Sequence, residues 1–210
     1  MKNKLFKSAL IVASVAAVSP AVAGDWYFAG SAGQSDFKAE KGDIDGALIA
    51  AGATGLSSSL DDQDTAYKLQ AGYRFNQNFA LEGGYINLGK LKYSAAYTGG
   101  AGRAEIKADG WNIDVVGSIP VGQTFVLFGK VGMINAKVEA TVSATGPGGA
   151  AAGSVDDTSS KGHWGIGGDY ALNDKMAVRL EYERFKNLGD ENTTGEGDVD
   201  LLSVGFVLKF

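Results

Sequence analysis

His163 is the only histidine in a 210-residue chain that also lacks cysteine, so any general-base chemistry of the hydrolase kind would rest on it. Ser159 and Ser160 stand just upstream, but neither a Ser nor an Asp is placed beside the ring by spacing. The residue immediately precedes Trp164 at the outer edge of a strand-like segment, which reads as a solvated rim histidine. The acidic stretch GDENTTGEGDVD offers a second chemistry, because Asp190, Asn192, Thr194 and Gly195 open like a calcium loop. The twelfth position, which needs a bidentate acid, is Leu201, so an EF-hand-type site fails. GIGGD and GPGG are glycine runs with no following helix, unlike a phosphate-binding loop. No catalytic residue, cofactor or metal site is expected. What remains is ion-pair chemistry: Glu82, Asp114, Lys130, Asp169, Arg179 and Glu181 each sit inside a segment that alternates with apolar residues.

Such charges need a scaffold that turns them all to one side. Eight segments alternate with period two, near 25–35, 64–75, 79–91, 104–119, 125–138, 162–172, 176–188 and 198–210. The links after the second, fourth and sixth are tight: Asn76-Gln77-Asn78, a turn around Pro120-Val121-Gly122-Gln123, and Asn173-Asp174-Lys175. The others are long, as in KAEKGDIDGALIAAGATGLSSSLDDQ and ATVSATGPGGAAAGSVDDTSS. An even strand count with short turns on one side and long loops on the other predicts an all-β fold: an eight-stranded antiparallel up-and-down transmembrane β-barrel. Both termini then lie on the short-turn side.

The faces support a lipid-exposed wall. Tyr67, Leu69, Ala71, Tyr73 and Phe75 share one face and Lys68, Gln70, Gly72 and Arg74 the other. Trp111, Ile113, Val115 and Ile119 alternate with Asn112, Asp114 and Ser118; Trp164, Ile166, Tyr170 and Leu172 with Gly165, Gly167 and Asp169. Met176, Val178, Leu180 and Tyr182 alternate with Arg179, Glu181 and Glu183, and the last strand turns Leu202, Val204, Phe206, Leu208 and Phe210 outward. Trp26, Tyr67, Phe75, Phe79, Trp111, Trp164, Tyr170, Tyr182, Phe206 and Phe210 are the expected girdle. Eight residues separate the girdle positions of one strand; at ~3.3 Å per residue and a tilt of about 40° that spans roughly 20 Å, close to a bilayer's apolar band. A water-soluble barrel would place Arg179 and Glu181 outside and leave the apolar face within. Strand three alone points Ile86 and Leu88 inward.

The interior charges pair across strands. If Leu172 faces Met176, Asp169 falls opposite Arg179 and Gly167 opposite Glu181; if Ile119 faces Phe125, Asp114 meets Lys130. Glycines such as Gly72, Gly132, Gly165 and Gly167 leave room for the long side chains in so narrow a barrel.

Composition agrees with this reading. Lys2, Lys4 and Lys7, a short apolar run and Ala21-Val22-Ala23 make residues 1–23 a secretory signal peptide, with residues 24–210 as one domain. The whole chain has 19 basic and 24 acidic residues, and losing the leader's three lysines leaves 16 against 24, about −8, which argues against a nucleic-acid partner. Beyond the leader no run approaches ~18 apolar residues, so a membrane span must be a closed barrel.

The stretches WYFAGSAGQS, FALEGGYINLGK, GWNIDVVGSIPVGQTFVLFGKVGM and GGDYALNDKMAVRLEYERFKNLGDENT…LLSVGFVLKF resemble the eight-stranded membrane domain of the outer-membrane protein A (OmpA) family. The likeness covers essentially the whole mature chain. It implies the outer membrane of a Gram-negative bacterium, periplasmic termini, extracellular loops, and structural, adhesive or weakly pore-forming roles. Longer members continue into a peptidoglycan-binding domain; this sequence stops on the last strand, so cell-wall tethering is not implied. Expected partners are outer-membrane lipid and lipopolysaccharide, whose phosphates the acids of the last loop suit through shared divalent cations, and a surface ligand of the loops; the protein is expected to be a monomer. The resemblance also implies a lumen glutamate, Glu82, paired with an arginine, Arg179, that exchanges to a lysine and opens a small pore. The lysine position here is Val116, and Lys130 matches another basic lumen position. Phe206, Leu208 and Phe210 resemble the signal read by the barrel-assembly machinery.

Deleting Phe210 is expected to lower the yield of folded barrel, read from heat-modifiable gel mobility and membrane fractionation. Unchanged yield would remove the assembly role.

Overall fold

The structure is a computed structural model that describes residues 24–146, 149–190 and 193–210. The expected leader lies outside the described residues, as do Glu191 and Asn192 of the acidic stretch. The elements are β1 (Asp25–Phe37), α1 (Lys41–Ala50), β2 (Ser57–Asp61), β3 (Gln63–Arg74), β4 (Phe79–Tyr97), β5 (Gly100–Val121), β6 (Phe125–Gly146), β7 (Gly149–Ala171), β8 (Met176–Asp190) and β9 (Gly195–Lys209). Neighbours in this order from β3 onward pair antiparallel, and β1 lies between β3 and β9, which closes a ring of eight strands. β2 continues the line of β3 past Asp62 and pairs only with β4.

The short turns have local causes. Asn76 Oδ1 accepts from the backbone N–H groups of Asn78 (2.8 Å) and Phe79 (3.0 Å), and Asn173 Oδ1 accepts from that of Lys175 at 3.0 Å. In the middle turn Gly122 takes φ +68°, which allows pairing to persist to Val121↔Phe125. This corrects the expected register: Ile119 faces Leu127, and Asp114 faces Gly132 instead of Lys130. The other expected register holds, with Asp169 opposite Arg179 and Gly167 opposite Glu181.

At the opposite end the long loops are largely strand. Only Thr98 and Gly99 separate β4 from β5, and β6 pairs with β7 from Phe125↔Tyr170 out to Gly146↔Gly149. The Ala, Ser, Thr and Val residues there satisfy their backbone groups by hairpin pairing and expose both faces. The first loop carries α1, which buries no side chain and is tied down by Asp45. That carboxylate accepts from Lys41 Nζ (2.8 Å), Ser58 Oγ (2.6 Å) and Tyr93 Oη (2.5 Å), which together hold its pKa down at about 2, Lys41 foremost.

Two β-bulges change the side-chain parity. In β4 the pairing slips between Asn87 and Lys90, where Gly89 takes φ +77° and Asp64 accepts from the Lys90 N–H at 2.9 Å. Below the slip Glu82, Ile86 and Leu88 point inward; above it Leu91, Tyr93 and Ala95 do. In β8 the slip lies between Phe185 and Leu188, with Asn187 at φ 55°. Both slips bring an additional leucine inside.

The outer wall is apolar. Leu69, Trp111, Val131, Ile166, Leu180 and Val204 are all more than half exposed, a continuous surface far larger than a water-soluble protein presents. Of the expected girdle, Trp26, Tyr67, Phe75, Phe79, Trp111, Tyr170, Phe206 and Phe210 are exposed on this wall. Trp164 and Tyr182 are half-buried against each other, with ring centroids 5.9 Å apart. The Phe210 ring meets Phe28 edge-on at 5.7 Å.

Replacing Leu180 by Arg on this face is expected to cost about 2–4 kcal/mol if the position lies near the bilayer midplane. Leu180→Phe should change stability little. Urea unfolding in lipid vesicles measures both, and equal losses would show that Leu180 does not meet hydrocarbon.

Candidate functional site

Alternation along six strands delivers nine acidic and basic side chains to the interior: Lys68 from β3, Glu82 from β4, Asp114 from β5, Lys130 from β6, His163 and Asp169 from β7, and Arg179, Glu181 and Glu183 from β8. Each side chain is no more than 5% exposed. Such groups are stable out of water only when paired, and they are paired in two linked sets.

The first set centres on Arg179. Its Nε and Nη2 donate to the two oxygens of Asp169 (2.8 and 3.1 Å), while Nη1 donates to Glu82 Oε1 at 2.6 Å. Tyr27 Oη also donates to Glu82 Oε1, at 2.7 Å. The guanidinium lies over the Phe128 ring, 4.5 Å from its centroid, which adds a cation–π contact. The second set centres on two lysines. Lys130 Nζ is 2.6 Å from Glu181 and 2.7 Å from Glu183, with Asp114 at 3.5 Å and Glu82 at 3.8 Å. Lys68 Nζ contacts the other oxygens of Glu181 and Glu183. Glu82 thus joins the two sets.

This packing depends on an absent side chain at Gly165: a Cβ there would lie 2.9 Å from Glu183 Cγ and 3.3 Å from Lys130 Cε. Val116, at the position where the resemblance implies a lysine, is buried and is the direct cross-strand partner of Lys130.

His163 requires a correction. It is a buried lumen residue, not a rim residue: Nε2 lies 2.8 Å from Asp114 Oδ1 and the ring stacks on Phe185 at 4.8 Å. Its position two residues before Gly165, on the same face as Gly167 and Asp169, carried the parity that places it inside. Ser159 and Ser160 are engaged elsewhere, with the Gly189 carbonyl and Asn135. A histidine beside an aspartate is half of a triad, but both side chains are fully buried. Three acids of the last hairpin are likewise engaged: Arg184 donates to both Asp200 oxygens at 2.6 Å, Lys161 contacts Glu196 at 2.6 Å, and Asp198 accepts from the Asn187 N–H.

The charged layer lies between two apolar ones. Toward the short turns, Tyr27, Ala29, Ala80, Val116, Phe128, Ala177 and Val207 form a buried cluster. Toward the long hairpins, a larger one includes Ile86, Leu88, Leu91, Ile134, Phe185 and Leu188. The inward Ile86 and Leu88 are therefore part of an apolar seal above the charges. The sequence places Ile86 and Leu88 inside without explaining them, and its expected charge network lacks Lys68, Glu183 and Tyr27, which the structure adds.

Lys130→Met, which leaves four carboxylates short of a cation, is expected to destabilise the barrel by about 3–5 kcal/mol. Lys38→Met at an exposed pair with Asp36 should cost about 0–1 kcal/mol. Urea unfolding in vesicles separates the two; equal costs would mean that the layer is hydrated.

A family model described as the OmpA-like transmembrane domain matches residues 21–210. Outer membrane protein A of Yersinia pseudotuberculosis is 29% identical across the whole chain, and that of Salmonella typhi 31% identical over 66% of it. The chain covers 56% and 38% of these relatives, respectively. Among solved structures, Neisserial surface protein A aligns with a TM-score of 0.53 at 14% identity, covering 88% of this chain and 97% of that one. OprG from Pseudomonas aeruginosa aligns with a TM-score of 0.53 at 17% identity, covering 89% and 96%. These two likenesses concern the fold. Together with the closed ring and apolar wall, the family match places the chain in the OmpA-like transmembrane domain family, as an eight-stranded β-barrel of the outer membrane.

Proposed function

We propose that the protein is a non-enzymatic, non-conducting barrel that serves the envelope structurally and presents its long hairpins to the exterior for adhesive or host contact. The observation that carries this reading is the sealed lumen: a paired ionic layer held between two apolar clusters. An ion crossing it would have to separate buried charge pairs and enter two dry layers, each unfavourable by several kcal/mol. His163 and Asp114 lie within the same sealed layer, away from any substrate.

In this reading a signal peptide directs export, the short turns and termini are periplasmic, and the assembly machinery reads Phe206, Leu208 and Phe210. Lipid and lipopolysaccharide surround a monomer. The β6–β7 hairpin, exposed on both faces and rich in Ala, Ser, Thr and Asp, is the broadest surface for a partner.

The test is single-channel recording of the full chain in planar bilayers. Wild type is expected to be silent, and folded Arg179→Ala, Lys130→Ala double variants should show at most brief openings, because both apolar layers remain. Steady conductance from wild type would favour a small gated pore over a structural barrel.

A further inference from the structure

Above the upper apolar seal, at the long-hairpin end, lies an open cup of about 290 Å³. Its floor continues the buried cluster through Phe37, Leu91, Ile106, Val138, Leu188 and Val199. One side is the first turn of α1 with Ile44, and the other is Thr194 with the start of β9.

The rim over this floor is acidic: Glu40, Asp43, Glu196 and Asp198, with Lys38 the one cation lining it among the described residues. Lys38 is already held by Asp36 (2.8 Å) and Asp200 (3.4 Å), and Glu196 by Lys161. Glu40 and Asp43 have no ion pair among the described residues, while Asp198 accepts from the Asn187 N–H at 3.0 Å and stands near Arg184. An apolar floor below uncompensated carboxylates favours a ligand with an apolar body and one positive charge, since the floor gains from burial and the rim from charge. An anion would meet the same rim as repulsion, and a neutral apolar molecule would gain from the floor alone.

We propose that this cup binds small amphipathic cations, of the aryl- or alkylammonium class, from the exterior of the long-hairpin end. The inference is independent of whether the lumen conducts, because the site ends on the seal.

The test uses the full chain in lipid nanodiscs and three probes of one shape: phenethylammonium, neutral 2-phenylethanol and anionic phenylacetate. Methyl NMR shifts of Ile44, Ile106 and Val138 report binding. Phenethylammonium is expected to bind tightest and phenylacetate weakest, with the preference declining as salt screens the rim. The exposed double variant Glu40→Gln, Asp43→Asn should weaken phenethylammonium about three- to tenfold while leaving 2-phenylethanol unchanged. Ala39→Phe, which fills the cup, should weaken both. Heat-modifiable mobility verifies that each variant is folded. Equal affinity for the three probes, no methyl shift with any of them, or an unchanged preference in the double variant would each overturn the proposal.

Discussion

The ring closes where β1 runs antiparallel to β9, from Tyr27↔Lys209 to Phe37↔Val199, and this pairing governs the remainder of the structure. Hydrocarbon offers no partner to a backbone N–H or C=O, so an open sheet edge inside a membrane is strongly unfavourable. Closure removes both edges. It also fixes the interior at the small volume eight strands enclose, which side chains nearly fill. The outer wall then has no choice but apolar residues, and the interior must hold whatever else the strands carry.

That interior carries five carboxylates, two lysines, an arginine and a histidine, all beyond the reach of bulk water. Desolvation alone would make each charge costly, and only close pairing offsets it. The pairings join strands well separated around the ring, as Arg179 of β8 with Glu82 of β4 or Lys68 of β3 with Glu183 of β8, so the layer ties opposite sides of the ring together. The apolar clusters at either side keep the dielectric low, which strengthens each pair and makes each unpaired charge more expensive.

Much of this was legible in the chain because a strand's period is two and a bilayer enforces it without exceptions. The outward rows ending in Phe210, the inward row Arg179, Glu181 and Glu183, and the third turn's register all follow from alternation. The failures have separate physical causes. The Asp114–Lys130 register slipped because Gly122 closes a tighter turn than the apolar residues suggested. His163 was judged by its neighbour Trp164 when its parity with Asp169 was the better guide. The hairpin extensions were hidden because Ala, Ser, Thr and Gly pair readily through the backbone without leaving a burial pattern. The seal was obscured because bulges at Asn87–Lys90 and Phe185–Leu188 reset the alternation, so Leu91 and Leu188 fall outside the rows that predict them.

Those bulges sit on β4 and β8, which are four staves apart in a ring of eight and so face each other across the barrel. Each interrupts the phase relation between the wall below and the hairpins above. A residue gained or lost beyond the inward rows above the slips, past Ala95 on β4 or Leu188 on β8, therefore has no burial phase to preserve, and the wall's inside and outside are unaffected. The two kinks act as a sequence firebreak: the projecting hairpins are free to drift in length and composition, while the portion that must satisfy the bilayer stays in step.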